Sequence, residues 1–207
     1  MQELEECLEA MLSEIQPVER TEYVAITEAA GRVISEDIVA DMMIPPYPKS
    51  AMDGYAVRAE DTLGADSDRP VSLRVVGELF AGDYDKLPCE KGCAVRVMTG
   101  SYVPEGYDAV VRQEDTDYGE AQVQIYRGVK TGMNYCSVGE DIRKGDRILT
   151  KGTRLTALHI GLLASLGICR VAVYEKMRCS ILSTGSELRM PGTELAPGKI
   201  YNSIAYM

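Results

Sequence analysis

Apolar residues recur at helical spacing near the start of the chain. They are Leu4, Leu8, Met11, Leu12 and Ile15, with glutamates on the opposite side. This spacing predicts an amphipathic helix that Pro17 ends, because proline has no backbone N–H to donate. Thr27 is placed to cap a short second helix over residues 28–32, and residues 33–39 are expected to be extended. Three prolines within residues 41–50 then exclude a regular helix or a central strand.

The middle of the chain, to about residue 140, changes to the two-residue alternation of strands. Apolar residues alternate with polar ones at residues 71–75, 95–97 and 123–125, and glycines separate these runs. Short strands with frequent turns and no intervening helix are typical of a compact β unit, barrel-like or sandwich-like.

A helical pattern returns after Gly139. Thr156 is predicted to be an N-cap, and Gly167 stands where a C-cap glycine would be. The predicted apolar face of this helix consists of Leu158, Leu162 and Leu166.

The last part of the chain has the pattern of a βα unit. A strand is predicted at residues 171–173 and a second at residues 179–182, which leads into the turn STGSEL. A helix is expected to begin at Asn202 or Ser203. One strand, one turn and the start of a helix cannot close a sheet, so we expect the parent protein to continue beyond residue 207.

Composition and charge exclude several classes of function. With 22 Lys and Arg against 32 Asp and Glu, the net charge is −10, so binding to nucleic acid or to an anionic membrane is not expected. No apolar run reaches the length of a membrane span. The acidic, amphipathic N-terminus resembles neither a secretory signal nor a transit peptide, which favours a cytoplasmic protein with reduced cysteines.

Three turns carry the residues that could support chemistry. They are SAMDGY at residues 50–55, MTG at residues 98–100 and GED at residues 139–141. Each alone is compatible with an ordinary hairpin or cap. Together they suggest loops that bring carboxylates and hydroxyls around a polar ligand or a hard cation such as Mg²⁺.

The STGSEL turn at residues 183–188 is a fourth candidate. It follows a predicted strand, and ligands of open α/β sheets bind at the carboxyl ends of strands. The alternative is a loop whose hydroxyls cap the next helix. It lacks the Gly-Lys-Ser/Thr ending of a Walker loop. His159, the single histidine, falls within a leucine pattern and is not expected to act as a catalytic base.

These motifs resemble those of the MoeA/gephyrin E-domain family, the molybdopterin molybdenumtransferases. The resemblance runs in order along essentially the whole chain, and the SAMDGYAV core is highly specific. The matching segments are IPPYPKSAMDGYAVRAEDT (44–62), VRVMTGSYVPEGYDAVVRQED (95–115), GEDIRKGDRILTKGTRLTALHIGLLASLGI (139–168), ILSTGSEL (181–188) and GKIYNSIAYM (198–207).

The resemblance implies a mixed α+β fold that is mainly β. Residues 1–45 and 140–176 are expected to form one discontinuous, helix-containing domain, which links the subunits of a dimer. Residues 46–139 are expected to form an inserted, barrel-like or irregular β domain. Residues 177–207 would be the truncated start of an α/β domain that binds molybdopterin.

The function implied by the family is a step of molybdenum cofactor biosynthesis. Its members insert molybdenum from molybdate into adenylylated molybdopterin, with Mg²⁺-dependent release of AMP, as cytoplasmic homodimers. The molybdopterin adenylyltransferase and molybdoenzyme or cofactor-biosynthesis proteins are implied partners. Both molybdenum and tungsten are compatible with these motifs.

Site residues follow from the family motifs position by position. The resemblance implies catalytic roles for Asp53, Thr99, Asp141 and Glu187, and Mg²⁺ ligation by Asp53, Asp141 and Glu187. The substrate-binding candidates are Lys49, Arg143, Ser183 and Thr184. The site is expected to lie between the β domain of one subunit and the third domain of the other.

Two departures from the family pattern stand beside these motifs. Many relatives carry an arginine-rich run before the GED turn, whereas residues 134–138 here read NYCSV. If those arginines bind anionic substrate, Arg143, Lys144 or groups outside these residues must replace them. Pro48 also stands where relatives often have aspartate.

Two other functions stay open beside the enzyme. The first is a dimeric scaffold that binds partner proteins, as gephyrin-like relatives do. A long additional N-terminal domain would favour it, while the intact set of Asp53, Thr99, Asp141 and Glu187 favours the enzyme. The second, a molybdate storage module, would need a basic pocket, which the sequence does not indicate.

Overall fold

The computed structural model describes residues 4–207 and is mainly β. Its α-helices are α1 (Leu4–Glu14) and α2 (Ala157–Ser165). Its strands are β1 (Thr21–Ala25), β2 (Ile38–Val39), β3 (Lys49–Ser50), β4 (Gly54–Val57), β5 (Val71–Leu79), β6 (Cys93–Val97), β7 (Ala109–Arg112), β8 (Gln122–Ile125), β9 (Tyr135–Cys136), β10 (Arg147–Leu149), β11 (Arg170–Tyr174), β12 (Leu188–Arg189) and β13 (Ile200–Tyr201). Short 3-10 helices occur at Ile26–Glu28, Ala59–Thr62, Gln113–Asp115 and Ile204–Tyr206.

The largest sheet has five strands in the order β7-β4-β6-β5-β8. Strand β4 pairs antiparallel with both β6 and β7, while β5 pairs parallel with β6 and antiparallel with β8. Strand β4 is buried at every position. Because successive side chains of a strand point to opposite faces, it packs on both faces of the sheet. Tyr55 and Val57 of β4 belong to one apolar cluster, and Ala56 belongs to the other. The prediction of a compact β unit is confirmed.

A second unit joins residues far apart in the sequence. Strand β1 pairs antiparallel with β11, from Thr21 opposite Tyr174 to Ala25 opposite Arg170, and β2 pairs antiparallel with β10. Its core is an aliphatic cluster that includes Ile34 and Leu163, both fully buried. Helix α2 covers this cluster. The chain therefore leaves this unit, forms the five-stranded sheet, and returns.

Helix α1 forms where the apolar spacing predicts it, but none of its side chains is buried. Leu4 and Met11 are 76% and 60% exposed. No segment of residues 4–207 covers its apolar side. The pattern therefore identified the helix but not a surface within the described chain that it packs against.

Two predictions before the proline segment are wrong. The short helix expected at residues 28–32 is instead the 3-10 helix Ile26–Glu28, and Thr27 lies within it and does not cap it. Strand β1 was not predicted. It forms because β11 offers a complete antiparallel partner, a contact between residues almost 150 positions apart that local spacing cannot show.

Helix α2 begins at the predicted cap. The Thr156 hydroxyl accepts a hydrogen bond from the His159 backbone N–H (3.4 Å), and His159 Nδ1 accepts one from the Thr156 N–H (3.2 Å). His159 thus completes a capping box and is only half-buried, which corrects its assignment to a buried leucine pattern. Gly167 follows the helix with φ +72°, as a C-cap glycine does.

The predicted apolar face of α2 is wrong in part. Leu166 is buried and Leu162 half-buried, but Leu158 is 85% exposed. The fully buried side chain is Leu163, which the prediction omitted. Since α2 is apolar on nearly all sides, its sequence does not reveal which side faces the core.

The strand predicted at residues 179–182 does not form. Within the described chain no neighbouring strand is present for it to pair with, and Leu182 is 90% exposed. The regular structure beyond residue 176 is a short parallel pair, β12 with β13, and the 3-10 helix Ile204–Tyr206. The latter stands where a helix start was expected, and the Asn202 side chain accepts a hydrogen bond from the Ala205 N–H (3.2 Å).

We predict that Leu163→Ala and Leu158→Ala, two changes in the same helix, differ sharply in stability. Leu163 is fully buried, so its truncation leaves a cavity and lowers the free energy of unfolding by about 2–5 kcal/mol. Leu158 is 85% exposed, and its truncation costs less than about 0.5 kcal/mol. Urea unfolding of both variants measures this. Equal losses would mean that α2 packs through a different face.

Candidate functional site

The SAMDGY segment forms a turn that Ser50 closes. Ser50 is buried at the end of β3. Its hydroxyl donates to the Met52 carbonyl (2.5 Å) and accepts from the Met52 N–H (3.2 Å). Because Ser50 satisfies both backbone groups of Met52, the turn projects the next side chain, Asp53, away from the core.

Three neighbouring loops hold this turn through backbone hydrogen bonds, so its position depends on the whole sheet. The four bonds are Gly100 N–H to Ser50 carbonyl (2.8 Å), Ser50 N–H to Ser101 carbonyl (3.0 Å), Ala51 N–H to Asn134 carbonyl (3.0 Å) and Gln113 N–H to Asp53 carbonyl (3.0 Å). The first two bring the MTG turn directly against the SAMDGY turn.

Asp53 and Thr99 are in contact. Asp53 Oδ1 accepts hydrogen bonds from the Thr99 hydroxyl (2.6 Å) and from the Thr99 backbone N–H (2.7 Å). These two bonds favour the charged form and lower the pKa of Asp53 below its usual value of 3.8. Within residues 4–207 no hydrogen bond is recorded for Oδ2. The turn therefore presents an ionised carboxylate with one oxygen anchored and one available to a ligand.

Gly54 is required by the close approach of β4 to β7. A Cβ atom at this position would lie 1.9 Å from the Val111 carbonyl oxygen, far inside contact distance. Gly54 pairs with Arg112 across this approach and with Val97 on the other side. In the Asp-Gly pair, Asp53 therefore supplies the carboxylate, and Gly54 is the residue type that leaves room for β7 beside β4.

The GED turn is bonded to the start of the proline segment, residues 44–48, whereas the SAMDGY turn follows the end of that segment. The Gly139 N–H donates to the Pro45 carbonyl (3.0 Å), and the Asp141 N–H donates to the Ile44 carbonyl (2.9 Å). The Asp141 side chain is exposed. No hydrogen bond or ion pair recorded in the described chain joins it to Asp53 or Thr99. The structure therefore brings Asp53 and Thr99 together, and Asp141 is held separately by backbone bonds to the same segment.

Lys49 and Arg143 occupy different surroundings. Lys49 lies in β3, opposite Cys136 of β9, and its backbone also forms an isolated antiparallel β-bridge with Tyr102. The Arg143 side chain is exposed, and its backbone N–H donates to the Asp146 carboxylate (2.8 Å). Lys49 is thus one residue from the SAMDGY turn, whereas Arg143 follows the GED turn.

Ser183, Thr184 and Glu187 lie in the segment after β11. The Ser183 hydroxyl is buried without a hydrogen-bond partner, while Thr184 and Glu187 are exposed. No recorded hydrogen bond joins residues 177–207 to residues 4–176. This segment is therefore positioned by its own short-range contacts, and the contacts within the described chain do not bring it to Asp53.

The three predicted Mg²⁺ ligands do not form a metal centre within one chain. Among residues 4–207, no group of three Asp, Glu, His or Cys side chains is arranged to hold a metal ion. Each of Asp53, Asp141 and Glu187 nevertheless offers accessible carboxylate oxygen, which is the ligand that Mg²⁺ prefers. Their assembly from two chains stays a prediction.

Sequence reasoning missed the residues that support and flank the Asp53 turn. Asn134 has φ +55° and donates from its side chain to the Val110 carbonyl (2.9 Å). Arg112 makes a bidentate ion pair with Asp115, with its shortest contact at 3.0 Å. The three-residue spacing of Arg112 and Asp115 was visible in the sequence, but their placement beside the turn depends on the pairing of β4 with β7.

Neither α-helix in the described residues has the length and apolar character that crossing a bilayer requires. The arrangement is instead that of a β unit carrying an exposed acidic turn, inserted into a helix-containing unit. Comparison with known proteins identifies this class.

A family model described as the MoeA N-terminal region (domain I and II) matches residues 2–167. The chain belongs to this family. It is 40% identical over its whole length to molybdopterin molybdenumtransferase 2 of Mycobacterium tuberculosis, covering 50% of that protein. It is 38% identical to the molybdopterin molybdenumtransferase of Haemophilus influenzae over 97% of this chain and 48% of that protein.

Solved structures agree. The crystal structure of the molybdopterin biosynthesis MoeA protein from Pyrococcus horikoshii OT3 matches 98% of this chain with a TM-score of 0.88 and 40% identity. The match covers 54% of that chain. The chain thus spans about half the length of the relatives it matches, and the predicted fold class is confirmed.

We predict that Gly54→Ala destabilises the protein while Gly161→Ala does not. The new methyl group at residue 54 would meet the Val111 carbonyl oxygen, and such overpacking costs at least about 1–3 kcal/mol. Gly161 lies inside α2 with nothing within 4 Å of the added Cβ, so alanine stabilises that helix by about 1 kcal/mol. Thermal unfolding of both variants tests this. A neutral Gly54→Ala would contradict the close approach of β4 and β7.

The lowered pKa of Asp53 predicts a pH-dependent contribution to stability. Charged Asp53 is stabilised by Thr99 above the ordinary carboxyl pKa of 3.8, and this is lost as the pH falls through the lower folded-state pKa. Asp53→Asn should therefore be less stable than the wild type by about 1 kcal/mol at pH 6, a value discounted for solvent exposure. The difference should fade at low pH. Urea unfolding from pH 2.5 to 7 measures it.

Thr99→Val is the matched background for that comparison, because it removes the hydroxyl and keeps the backbone N–H. In this background the effect of Asp53→Asn should shrink but persist. A difference that is independent of pH, or unchanged by Thr99→Val, would show that the hydrogen bonds do not hold the charge.

Proposed function

We propose that this chain is the N-terminal part of a molybdopterin molybdenumtransferase that acts in molybdenum cofactor biosynthesis. The reaction inserts molybdenum from molybdate into adenylylated molybdopterin and releases AMP. The observation that carries the proposal is the contact of Asp53 with Thr99, which holds an ionised carboxylate at the surface in a family whose curated relatives bear that enzyme name.

The roles of the acidic residues follow from their oxygen chemistry. Asp53, Asp141 and Glu187 would hold Mg²⁺, with Asp53 and Glu187 supplied by different subunits. When bound, the metal supplies positive charge that offsets the negative charge of the phosphoanhydride. Thr99 fixes which oxygen of Asp53 is free, and its hydrogen bonds stabilise the charged form of that carboxylate and lower its pKa.

Substrate binding requires donors around anionic groups. Lys49 lies one residue before the Asp53 turn and offers a cation there, and Arg143 offers another beyond the GED turn. The Ser183 hydroxyl is buried and has no hydrogen-bond partner in the described chain, so it would be paired by a ligand or by a neighbouring segment. Thr184 would add a second hydroxyl. These groups orient the substrate phosphates and pterin relative to Asp53.

The proposed division into domains has residues 1–45 with 140–176 in one domain and residues 46–139 inserted as another. It is supported by the apolar clusters. The buried members of the cluster around Leu163 come from residues 24–38 and 149–173, and those of the two clusters of the five-stranded sheet come from residues 55–129. Residues 177–207 would begin the third, pterin-binding domain.

A cytoplasmic homodimer is the proposed state, with a site shared between the two subunits. The uncovered apolar side of α1 supports association, since such a surface is normally buried against a partner. The molybdopterin adenylyltransferase would supply the adenylylated substrate, and molybdoenzymes would receive the product.

A chimera tests the proposed function. Residues 1–207 replace the matching half of a full-length relative in a strain that lacks its own molybdenumtransferase, and molybdoenzyme activity is measured. The chimera should restore activity, whereas residues 1–207 alone should not, because the pterin-binding half is then missing. Asp53→Ala in the chimera should lower activity by about 100-fold or more.

Asp66→Ala is the matched control. Asp66 also stabilises an exposed turn, where it accepts hydrogen bonds from the Asp68 and Arg69 N–H groups (3.0 and 2.8 Å). Its loss should leave activity near that of the unmodified chimera. If Asp53→Ala retained full activity, or if both variants failed equally at equal protein levels, the Asp53 turn would be structural only, as in a scaffold protein.

A further inference from the structure

A positively charged cleft lies beside the Asp53 turn. It has a volume of about 360 Å³, and its lining includes Met52, Arg112, Asp115, Arg127 and Asn134. Met52 directly precedes Asp53, and the Asn134 carbonyl accepts the Ala51 N–H (3.0 Å). The cleft is therefore lined in part by residues that form or hold the acidic turn.

The backbone fixes this neighbourhood. Arg112 is the last residue of β7 and lies opposite Gly54 in the antiparallel register, and the next N–H, that of Gln113, donates to the Asp53 carbonyl (3.0 Å). The Asn134 side chain is engaged with the Val110 carbonyl (2.9 Å) and forms a fixed wall. Strand pairing thus fixes Arg112 relative to Asp53, while Arg127 lies in the segment that follows β8.

The two arginines of the cleft differ in their partners. Arg112 donates from Nε and Nη2 to the Asp115 carboxylate at 3.0–3.2 Å, so its charge is largely balanced and its guanidinium is oriented. Arg127 has no ion pair or hydrogen bond recorded in the described chain and is exposed. Two guanidinium groups against one lining carboxylate leave a local positive charge on a protein whose net charge is −10.

We propose that this cleft binds a phosphate-bearing anion, with Arg127 as its main anchor and Arg112, oriented by Asp115, as the second donor. Guanidinium groups match phosphate geometry through paired N–H donors. The volume of about 360 Å³ accommodates a diphosphate group. The identity of that anion as the diphosphate of the adenylylated substrate rests on the proposed function, while binding of an anion does not.

The cleft also gives a physical account of the missing arginine run. Residues 134–138 carry no positive charge, yet Asn134 itself lines the cleft together with Arg112 and Arg127. Positive charge is therefore supplied from β7 and from the segment after β8, beside the position where the run is absent.

Titration calorimetry with inorganic pyrophosphate, at low ionic strength and without Mg²⁺, tests the proposal on residues 1–207. Wild-type protein should bind it. Arg127→Gln should weaken binding by about tenfold or more, the size expected for a lost charge-assisted hydrogen bond, and Arg112→Gln should weaken it as well. Because Arg127 is exposed and unpaired, its replacement should leave the unfolding temperature unchanged.

Arg20→Gln is the matched control, since it removes the same charge from an arginine that is 82% exposed and pairs with Glu175, away from the cleft. Its pyrophosphate affinity should equal that of the wild type. Absence of binding to the wild type, unchanged binding by Arg127→Gln, or an equal loss in Arg20→Gln would each overturn the proposal. None of these outcomes depends on molybdenum transfer, so the proposed function could survive them, and pyrophosphate binding could persist if the chimera were inactive.

Discussion

The pair of hydrogen bonds from Thr99 to Asp53 Oδ1 is the contact on which the candidate site depends. It joins two turns separated by 46 residues and stabilises the charged form of the carboxylate. The bonds can form only because the register of β4 with β6 places Gly54 opposite Val97, two residues before Thr99. A shift of one residue in that register would move the turn that carries Thr99 relative to Asp53 and would break these bonds.

The packing around β4 maintains its register with β6. Both faces of β4 are buried, so the pleat is fixed by packing on two sides. Gly54 permits the approach of β7, which brings Arg112 and the neighbouring cleft to the same place. The pairing of β4 with β7 thus places the acidic turn and the cleft side by side.

Much of this could be predicted from sequence, for local reasons. The amphipathic spacing identifies α1, Thr156 and Gly167 mark the ends of α2, and the SAMDGY and MTG motifs indicate Asp53 and Thr99 without showing their contact. Long-range pairing was not accessible in the same way. Strand β1 exists because β11 lies beside it, and the buried side of α2 could not be chosen in a helix that is apolar all round. The strand expected at residues 179–182 shows the converse, since this apolar run has no pairing strand in the described chain, forms no regular structure and is exposed. The sequence did not predict a shared cleft for Arg112 and Arg127, because two isolated arginines form no recognisable motif and meet only in the folded chain.

The candidate site depends on Thr99, whose two hydrogen bonds stabilise the charged form of the Asp53 carboxylate. The most direct measurement is an NMR titration of the Asp53 side-chain carboxyl carbon in the wild type and in Thr99→Val. We expect a wild-type pKa below 3.8 and a rise toward that value in the variant, because the hydroxyl bond makes the largest contribution to lowering it. A wild-type pKa at or above 3.8, or one that Thr99→Val leaves unchanged, would contradict this expectation.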